Sequence, residues 1–130
     1  TVFYGVVKST SGRLTYCNAG HNPPILLSGG VVSYLETGGT VLGVDPDASF
    51  ERSIVDLKAG DILLLYTDGA VECLNFADEQ FGTERLVESL RRNVEHPAQR
   101  IAQNILWDIR RFRGLADRTD DLTMVVLQVL

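Results

Sequence analysis

The segment Ile62-Leu63-Leu64-Leu65-Tyr66 constrains the fold more than any other part of the chain, because it places apolar residues at five successive positions. Side chains alternate between the two faces of a strand, so a strand of this composition needs a covering layer on each side. The segment therefore predicts a central strand, over residues 61–67, between two other layers. The 130 residues, of which 45% are hydrophobic, suffice for one domain with such a core.

The rest of the chain predicts strands first and helices late. Runs of β-branched and aromatic residues separated by polar turns predict six further strands, over residues 2–8, 13–18, 25–28, 31–36, 50–57 and 122–130. Apolar residues at helical spacing predict one helix over residues 83–94, with Thr83 as its N-cap, and a second from Pro97 to Gly114. Because strands and helices do not alternate regularly, this order predicts an α+β fold in which helices flank an antiparallel β-sandwich.

Charge is distributed unevenly along the chain, whose formal net charge is −5. Residues 45–84 carry ten Asp and Glu against two Lys and Arg, whereas residues 85–118 carry eight arginines against four acids. The acidic stretch is typical of either a solvated face or a cation site. Arg110, Arg111 and Arg113 lie near the end of the second predicted helix, where they either complement the helix dipole or contact an anion or phosphoprotein.

Composition argues against several kinds of partner and site. The acidic balance disfavours nucleic acid and anionic membranes, and no apolar run approaches the roughly 20 residues of a membrane span, so we expect a cytoplasmic protein. Cys17 and Cys73 form no C-x-x-C pair, and we expect buried free thiols rather than a disulfide. His21 lies in a polar turn, where a histidine is more often an organiser of the turn than a general base.

Carboxylates follow the central strand and precede the last one. Asp68 stands in Thr67-Asp68-Gly69, and Asp120 and Asp121 end the charged loop before residue 122. If the two strands are antiparallel neighbours, about 4.8 Å apart, the end of one and the start of the other share a rim. Carboxylates crowded there favour a bound cation, and oxygen ligands select Mg²⁺, Mn²⁺ or Ca²⁺ over Zn²⁺. The alternative is an ordinary strand-end turn and an exposed loop.

At these residues the sequence resembles the SpoIIE-like (RsbU-like) bacterial serine phosphatases of the protein phosphatase 2C superfamily. The resemblance covers essentially the whole chain. Three blocks carry it in the family's order: Tyr16-Cys17-Asn18-Ala19-Gly20-His21-Asn22-Pro23-Pro24, then Gly60-Asp61-Ile62-Leu63-Leu64-Leu65-Tyr66-Thr67-Asp68-Gly69-Ala70-Val71-Glu72, then Asp120-Asp121-Leu122-Thr123-Met124-Val125-Val126.

The resemblance implies a manganese- or magnesium-dependent phosphoserine/phosphothreonine protein phosphatase whose αββα layers hold two metal ions at one end. It matches Asp68 and Asp120 to metal-coordinating aspartates, and it makes Gly69 and Asp121 weaker candidates for the metal or its surroundings. In such enzymes no side chain acts as nucleophile, because a metal-activated water attacks phosphorus and the cations offset charge on the phosphoryl oxygens.

The resemblance also implies partners. Such phosphatases act on phosphorylated anti-sigma-factor antagonists in partner-switching pathways, and sensory domains commonly precede them. Their metal-bridging aspartate lies in an upstream motif that does not precede Thr1, so we expect residues 1–130 to be the C-terminal portion of one phosphatase domain, inactive by itself and prone to form a homodimer through uncovered edges. The alternative is a non-catalytic module that keeps the fold and binds a phosphoprotein or another partner.

Overall fold

The computed structural model describes residues 1–116 and 120–130, which form eight strands and three helices. The elements in chain order are β1 Val2–Lys8, β2 Arg13–Ala19, β3 Ile25–Ser28, β4 Val31–Tyr34, β5 Gly38–Gly39, β6 Ser53–Asp56, β7 Ile62–Tyr66, α1 Asp68–Val71, α2 Gly82–Arg92, α3 Ala98–Arg113 and β8 Met124–Gln128.

The strands form two sheets. In the first sheet, β2 pairs antiparallel with β1 on one side, and on the other side it pairs antiparallel with β6 and, at its end, parallel with the short β5. The second sheet has the order β4-β3-β7-β8, and every pair in it is antiparallel. The predicted antiparallel architecture is confirmed, with β7 as an interior strand.

β7 is covered on both faces, as its composition requires. Ile62, Leu64 and Tyr66 belong to the core that the second sheet shares with the helices. Leu63 belongs to the other core, between the two sheets, and Leu65 packs against it. The layer order of the described residues is therefore helices, second sheet, first sheet, and the predicted α+β class is confirmed.

Several predicted boundaries are wrong because local signals were overridden. Thr83 is not an N-cap: Phe81 occupies that position, and the Thr83 hydroxyl is hydrogen-bonded to Tyr66 instead. α2 ends at Arg92 rather than at residue 94, because the side chain of the C-cap residue Asn93 bonds back to the Ser89 carbonyl. The short elements β5 and α1 were not predicted, because elements of two and four residues are too short to display a period.

The acidic stretch is a solvated surface. Nine of its ten acids are exposed, and the exception, Asp61, is 3% exposed and accepts a hydrogen bond from the Lys58 N–H at 2.8 Å. Arg110, Arg111 and Arg113 lie in the last turn of α3, as predicted. Exposed carboxylates remain hydrated, so this charge costs the fold little.

The cysteines and the single tryptophan differ in how far they are buried. Both cysteines are free thiols, Cys73 buried and Cys17 half-buried. Trp107, which lies off the apolar stripe of α3, is 66% exposed. None of the helices in the described part of the chain combines the length and the apolar character needed to span a bilayer.

Tyr66 gives the fold a measurable alkaline response. Burial raises the pKa of its phenol above the ordinary 10.0, and the hydrogen bond with Thr83 opposes this in part. The folded state therefore retains the proton after the unfolded state has lost it, so this contribution is fully present below about pH 10 and is lost as pH rises through the folded pKa. Urea unfolding between about pH 8 and pH 11 should show that the stability advantage of the wild type over Tyr66→Phe is constant at first and narrows above about pH 10.

The matched control is Tyr4→Phe, at a position that is 66% exposed. Its unfolding free energy should follow that of the wild type across the same pH range. Parallel curves for the wild type and Tyr66→Phe would show that the phenol of Tyr66 titrates alike in the folded and unfolded states, contrary to the prediction.

Candidate active site

The rim predicted from the two carboxylate-bearing segments exists. β7 and β8 pair antiparallel from Ile62 opposite Gln128 to Tyr66 opposite Met124. The ladder continues beyond the strands, since the N–H of Thr67 donates to the carbonyl of Thr123 at 3.1 Å. The segment that follows β7 and the segment that precedes β8 therefore lie side by side at one end of the second sheet.

The hydroxyl of Thr67 ties these two segments together. Its Oγ1 accepts a hydrogen bond from the Thr123 N–H at 3.0 Å and donates one to the Asp121 carbonyl at 3.3 Å. One side chain thus satisfies a donor and an acceptor of the neighbouring backbone, which would otherwise depend on water. The sequence did not predict this role, because the hydroxyl of a threonine at the end of a strand can bond to many groups, and residue spacing does not show which.

Gly69 is required by the closeness of the same two segments. A Cβ at this position would lie 2.4 Å from the Asp121 carbonyl oxygen and 2.9 Å from its carbon. Any side chain would therefore force one of the two backbones to move. Gly69 is buried, and its lack of a side chain provides the space for this close approach.

The two predicted aspartates stand at this rim, and both residues are exposed. Asp68 is the first residue of α1, is exposed, and accepts a hydrogen bond at Oδ1 from the Gly69 N–H at 3.0 Å. Asp120 is exposed, accepts a bond from the Asp121 N–H at 2.6 Å, and lines a cleft together with Gly69. The structure therefore brings both predicted segments to one place.

The donor set fits one loosely held cation better than a closed metal centre. Within residues 1–116 and 120–130, no group of three or more His, Cys, Asp or Glu could hold a metal ion. Two exposed carboxylates supply the oxygen ligands that Mg²⁺ and Mn²⁺ prefer, and these cations commonly keep several waters. The described residues can thus contribute Asp68 and Asp120 to a site, but not the full ligand set of two metals.

A second loop reaches the same end of the sheets. Asn18 is buried and organises the turn that follows β2: its amide donates to the carbonyls of His21 and Leu35, and its Oδ1 accepts from the His21 N–H. The turn is thus held by Asn18, and the imidazole of His21 is 3.2 Å from the Thr1 hydroxyl. His21 lines a groove of about 350 Å³ with Thr67 and Thr123, a proximity that the sequence did not indicate.

A larger cleft lies on the opposite side of the rim, between α3 and β8, with a volume of about 490 Å³. Cys73 lies in its wall. Burial raises the pKa of this thiol, and the positive charge of Arg113 opposes the shift. The thiol is therefore held in its protonated form, which is a poor nucleophile.

Comparison of the sequence with known proteins places the chain in a family. All of residues 1–130 match the family described as Stage II sporulation protein E (SpoIIE). Protein IcfG of Synechocystis sp. is 31% identical over 128 residues, which is 98% of this chain and 20% of that protein. The phosphoserine phosphatase RsbU of Bacillus subtilis is 29% identical over 132 residues, 98% of this chain and 38% of RsbU. The chain thus spans well under half the length of these relatives.

Comparison of the structure gives the same result. The crystal structure of the RsbU and RsbW domains of Rv1364c from Mycobacterium tuberculosis superimposes with a TM-score of 0.80 at 29% identity, over 97% of this chain and 35% of that one. The manganese-presoaked phosphatase domain of SpoIIE from Bacillus subtilis shares the fold, with a TM-score of 0.70 at 20% identity over 99% of this chain and 56% of that one. The chain therefore belongs to the SpoIIE family, and its fold is that of the protein phosphatase 2C domains.

Proposed function

We propose that the protein containing this chain is a metal-dependent phosphoserine/phosphothreonine protein phosphatase, with Asp68 and Asp120 as metal ligands. The observation that carries the proposal is the rim at which the β7–β8 pairing places both aspartates beside Gly69. Membership of the SpoIIE family and the similarity to phosphoserine phosphatase RsbU support the reaction class. The structural likeness to the manganese-presoaked SpoIIE domain supports Mn²⁺ or Mg²⁺ as the cofactor.

The residues of this chain bind and orient rather than attack. Asp68 and Asp120 would hold a divalent cation, with Asp121 and Gly69 as neighbours that fix the backbone around it. When bound, the cation supplies a water of lowered pKa and offsets charge on the phosphoryl oxygens. The hydroxyl of Thr67 is engaged by two backbone groups, and the Cys73 thiol is buried and protonated, so neither serves as a phosphate-accepting nucleophile.

We extend the proposal to the biological partner. The substrate is a phosphorylated protein of the anti-sigma-factor antagonist type, acted on in the cytoplasm within a partner-switching pathway, and a sensory or regulatory domain belongs to the same protein. The similarity to RsbU and to a chain that carries RsbU and RsbW domains supports this setting. That residues 1–130 are the C-terminal portion of a single phosphatase domain, and that they form a homodimer, stay predictions.

One observation favours a second function, a non-catalytic module that binds a phosphoprotein or another partner. The described residues bring two aspartates to the rim but no group of three metal-binding side chains. A protein that lacked further ligands would keep the fold and the rim without turning over substrate. The enzyme and the module differ in whether hydrolysis depends on Asp68.

The first test is Asp68→Asn in the full-length protein. Loss of one carboxylate ligand should lower Mn²⁺-dependent hydrolysis of a phosphoserine peptide by on the order of 100-fold, because even groups that only support metal ligands cost 10–100-fold when they are removed. The measurement is phosphate release at saturating Mn²⁺.

Asp47→Asn is the matched control, since Asp47 is an exposed acid of the same acidic stretch and lies outside the rim. It should retain wild-type activity. Activity that survives Asp68→Asn would overturn the assignment of this ligand, and a wild-type protein that never releases phosphate would favour the non-catalytic module.

The second test is the affinity of the 130-residue chain for Mn²⁺. Two exposed carboxylates with water in the remaining positions should bind with a dissociation constant on the order of 10⁻³ M, the range of weak oxygen-ligand sites. Isothermal titration calorimetry measures it, with Asp120→Asn expected to abolish the signal. Micromolar binding would mean that further ligands exist in this chain.

The third test separates the geometry of the rim from its ligands. Gly69→Ala keeps both carboxylates but places a Cβ against the Asp121 carbonyl, so it should lower the free energy of unfolding by about 1–3 kcal/mol and weaken Mn²⁺ binding. Gly5→Ala is the control, because its Cβ would meet only side-chain atoms of Leu14 and Phe3 at 3.2 Å. Equal effects of the two changes on Mn²⁺ binding would show that the close approach at Gly69 does not shape the site.

A further inference from the structure

The arginine cluster at the end of α3 is divided between two surfaces. Arg110 and Arg113, three positions apart and hence on one face of the helix, line the cleft between α3 and β8. Arg111 lines a different groove, between α2 and α3, with Arg92 and Asp108. The dipole of α3 accounts for cations in its last turn but not for two of them converging on one cleft.

The Nε donor of Arg113 is buried and has no hydrogen-bond partner among the described residues. The ion pairs of the described residues are Arg13 with Asp56 and Arg92 with Glu88 and Asp108, so neither Arg110 nor Arg113 takes part in one. Buried donors in folded proteins nearly always have an acceptor, and this one points to an anion that enters the cleft.

The rest of the cleft suits an extended peptide. Its walls combine apolar side chains with two amides, and the residues other than the arginines and the rim are Cys73, Gln99, Ala102, Gln103, Leu106, Ile109, Leu122 and Met124. From Gln99 to Arg113 the helix rises about 21 Å at 1.5 Å per residue, which an extended peptide of about seven residues would span. Amides can bond to peptide backbone, and the apolar wall can take one or two side chains.

The cleft also reaches the candidate active site. Asp120 and Gly69 belong to its lining, so a peptide in the cleft ends beside the carboxylates of the rim. The side-chain amide of Gln128 donates to the carbonyl of His96, so α3 starts at the far end of β8 and its last turn, with Arg110 and Arg113, lies at the rim end of the cleft. The two arginines therefore flank the rim.

We propose that this cleft binds an acidic segment of the phosphoprotein substrate, with a carboxylate of that segment accepting hydrogen bonds from Arg113 and Arg110. The inference rests on the proposed function for the identity of the partner. It goes further in assigning the arginines a positioning role: they hold residues that flank the phosphorylated serine, whose phosphate lies at the rim. The occupant is thus a protein segment with an Asp or Glu a few residues from the serine and an apolar residue between them.

The experiment measures binding separately from hydrolysis. Two fluorescent peptides of about seven residues share a central serine and flanking leucines; one carries glutamates at both ends, and its twin carries glutamines. Fluorescence anisotropy with the full-length protein, without metal, should show the glutamate peptide binding about tenfold more tightly, as expected for a charge-assisted pair. Arg113→Gln and Arg110→Gln should each lower that preference, and the double change should bring it within about twofold.

Arg100→Gln is the control, because Arg100 is an exposed arginine of the same helix outside the cleft, and it should keep the tenfold preference. Equal binding of the two peptides would overturn the inference. So would a preference for the glutamate peptide that survives the double change, or one that Arg100→Gln removes to the same extent. Hydrolysis of p-nitrophenyl phosphate, which has no residues flanking its phosphate, reports on the proposed function alone. Phosphate release without a peptide preference refutes the docking site only, and a peptide preference without phosphate release refutes the phosphatase only.

Discussion

The five residues of β7 pair with β8 over their whole length, from Ile62 opposite Gln128 to Tyr66 opposite Met124. Because the strands run antiparallel, whatever follows β7 meets whatever precedes β8 at one end of the second sheet. Thr67 extends the pairing past the strands. Because Gly69 has no Cβ, the backbone at Asp121 can approach it closely. A slip of one residue in this register would turn every side chain of β8 to the opposite face and move Met124 and Val126 away from the core shared with the helices. Burial of one face of β8 therefore fixes the rim.

The charge at the rim comes from acidic side chains that the fold leaves exposed. The acids of the middle of the chain are almost all exposed, so hydration offsets most of the cost of their charge. Asp68 and Asp120 differ from the others because the fold gathers their segments at one end of a cleft that Arg110 and Arg113 also line. A negative rim beside a positive wall suits a ligand with two anionic groups, provided that a cation at the rim neutralises the carboxylates.

Much of this arrangement could be predicted from local patterns. Within the part of the chain that the structure describes, the alternation of residue types located seven of the eight strands and both long helices, and the apolar run 62–66 identified the interior strand. The positions of Asp68 and Asp120 at strand ends were enough to expect the rim once antiparallel pairing was assumed. The role of Thr83 could not be predicted, because a threonine before an apolar helix normally caps it, and only the nearby Tyr66 phenol diverted its hydroxyl.

The sequence by itself determined the class of each segment and the chemistry at its ends, because periods of two and 3.6 residues depend only on near neighbours along the chain. Only the tertiary structure decided that Thr67 ties two segments more than 50 positions apart, that a Cβ at Gly69 has no room, and that Arg113 is left with a buried donor. These features depend on distances across the sheet and between helix and strand. Such distances are set by the packing of the whole core around β7, which no local pattern encodes.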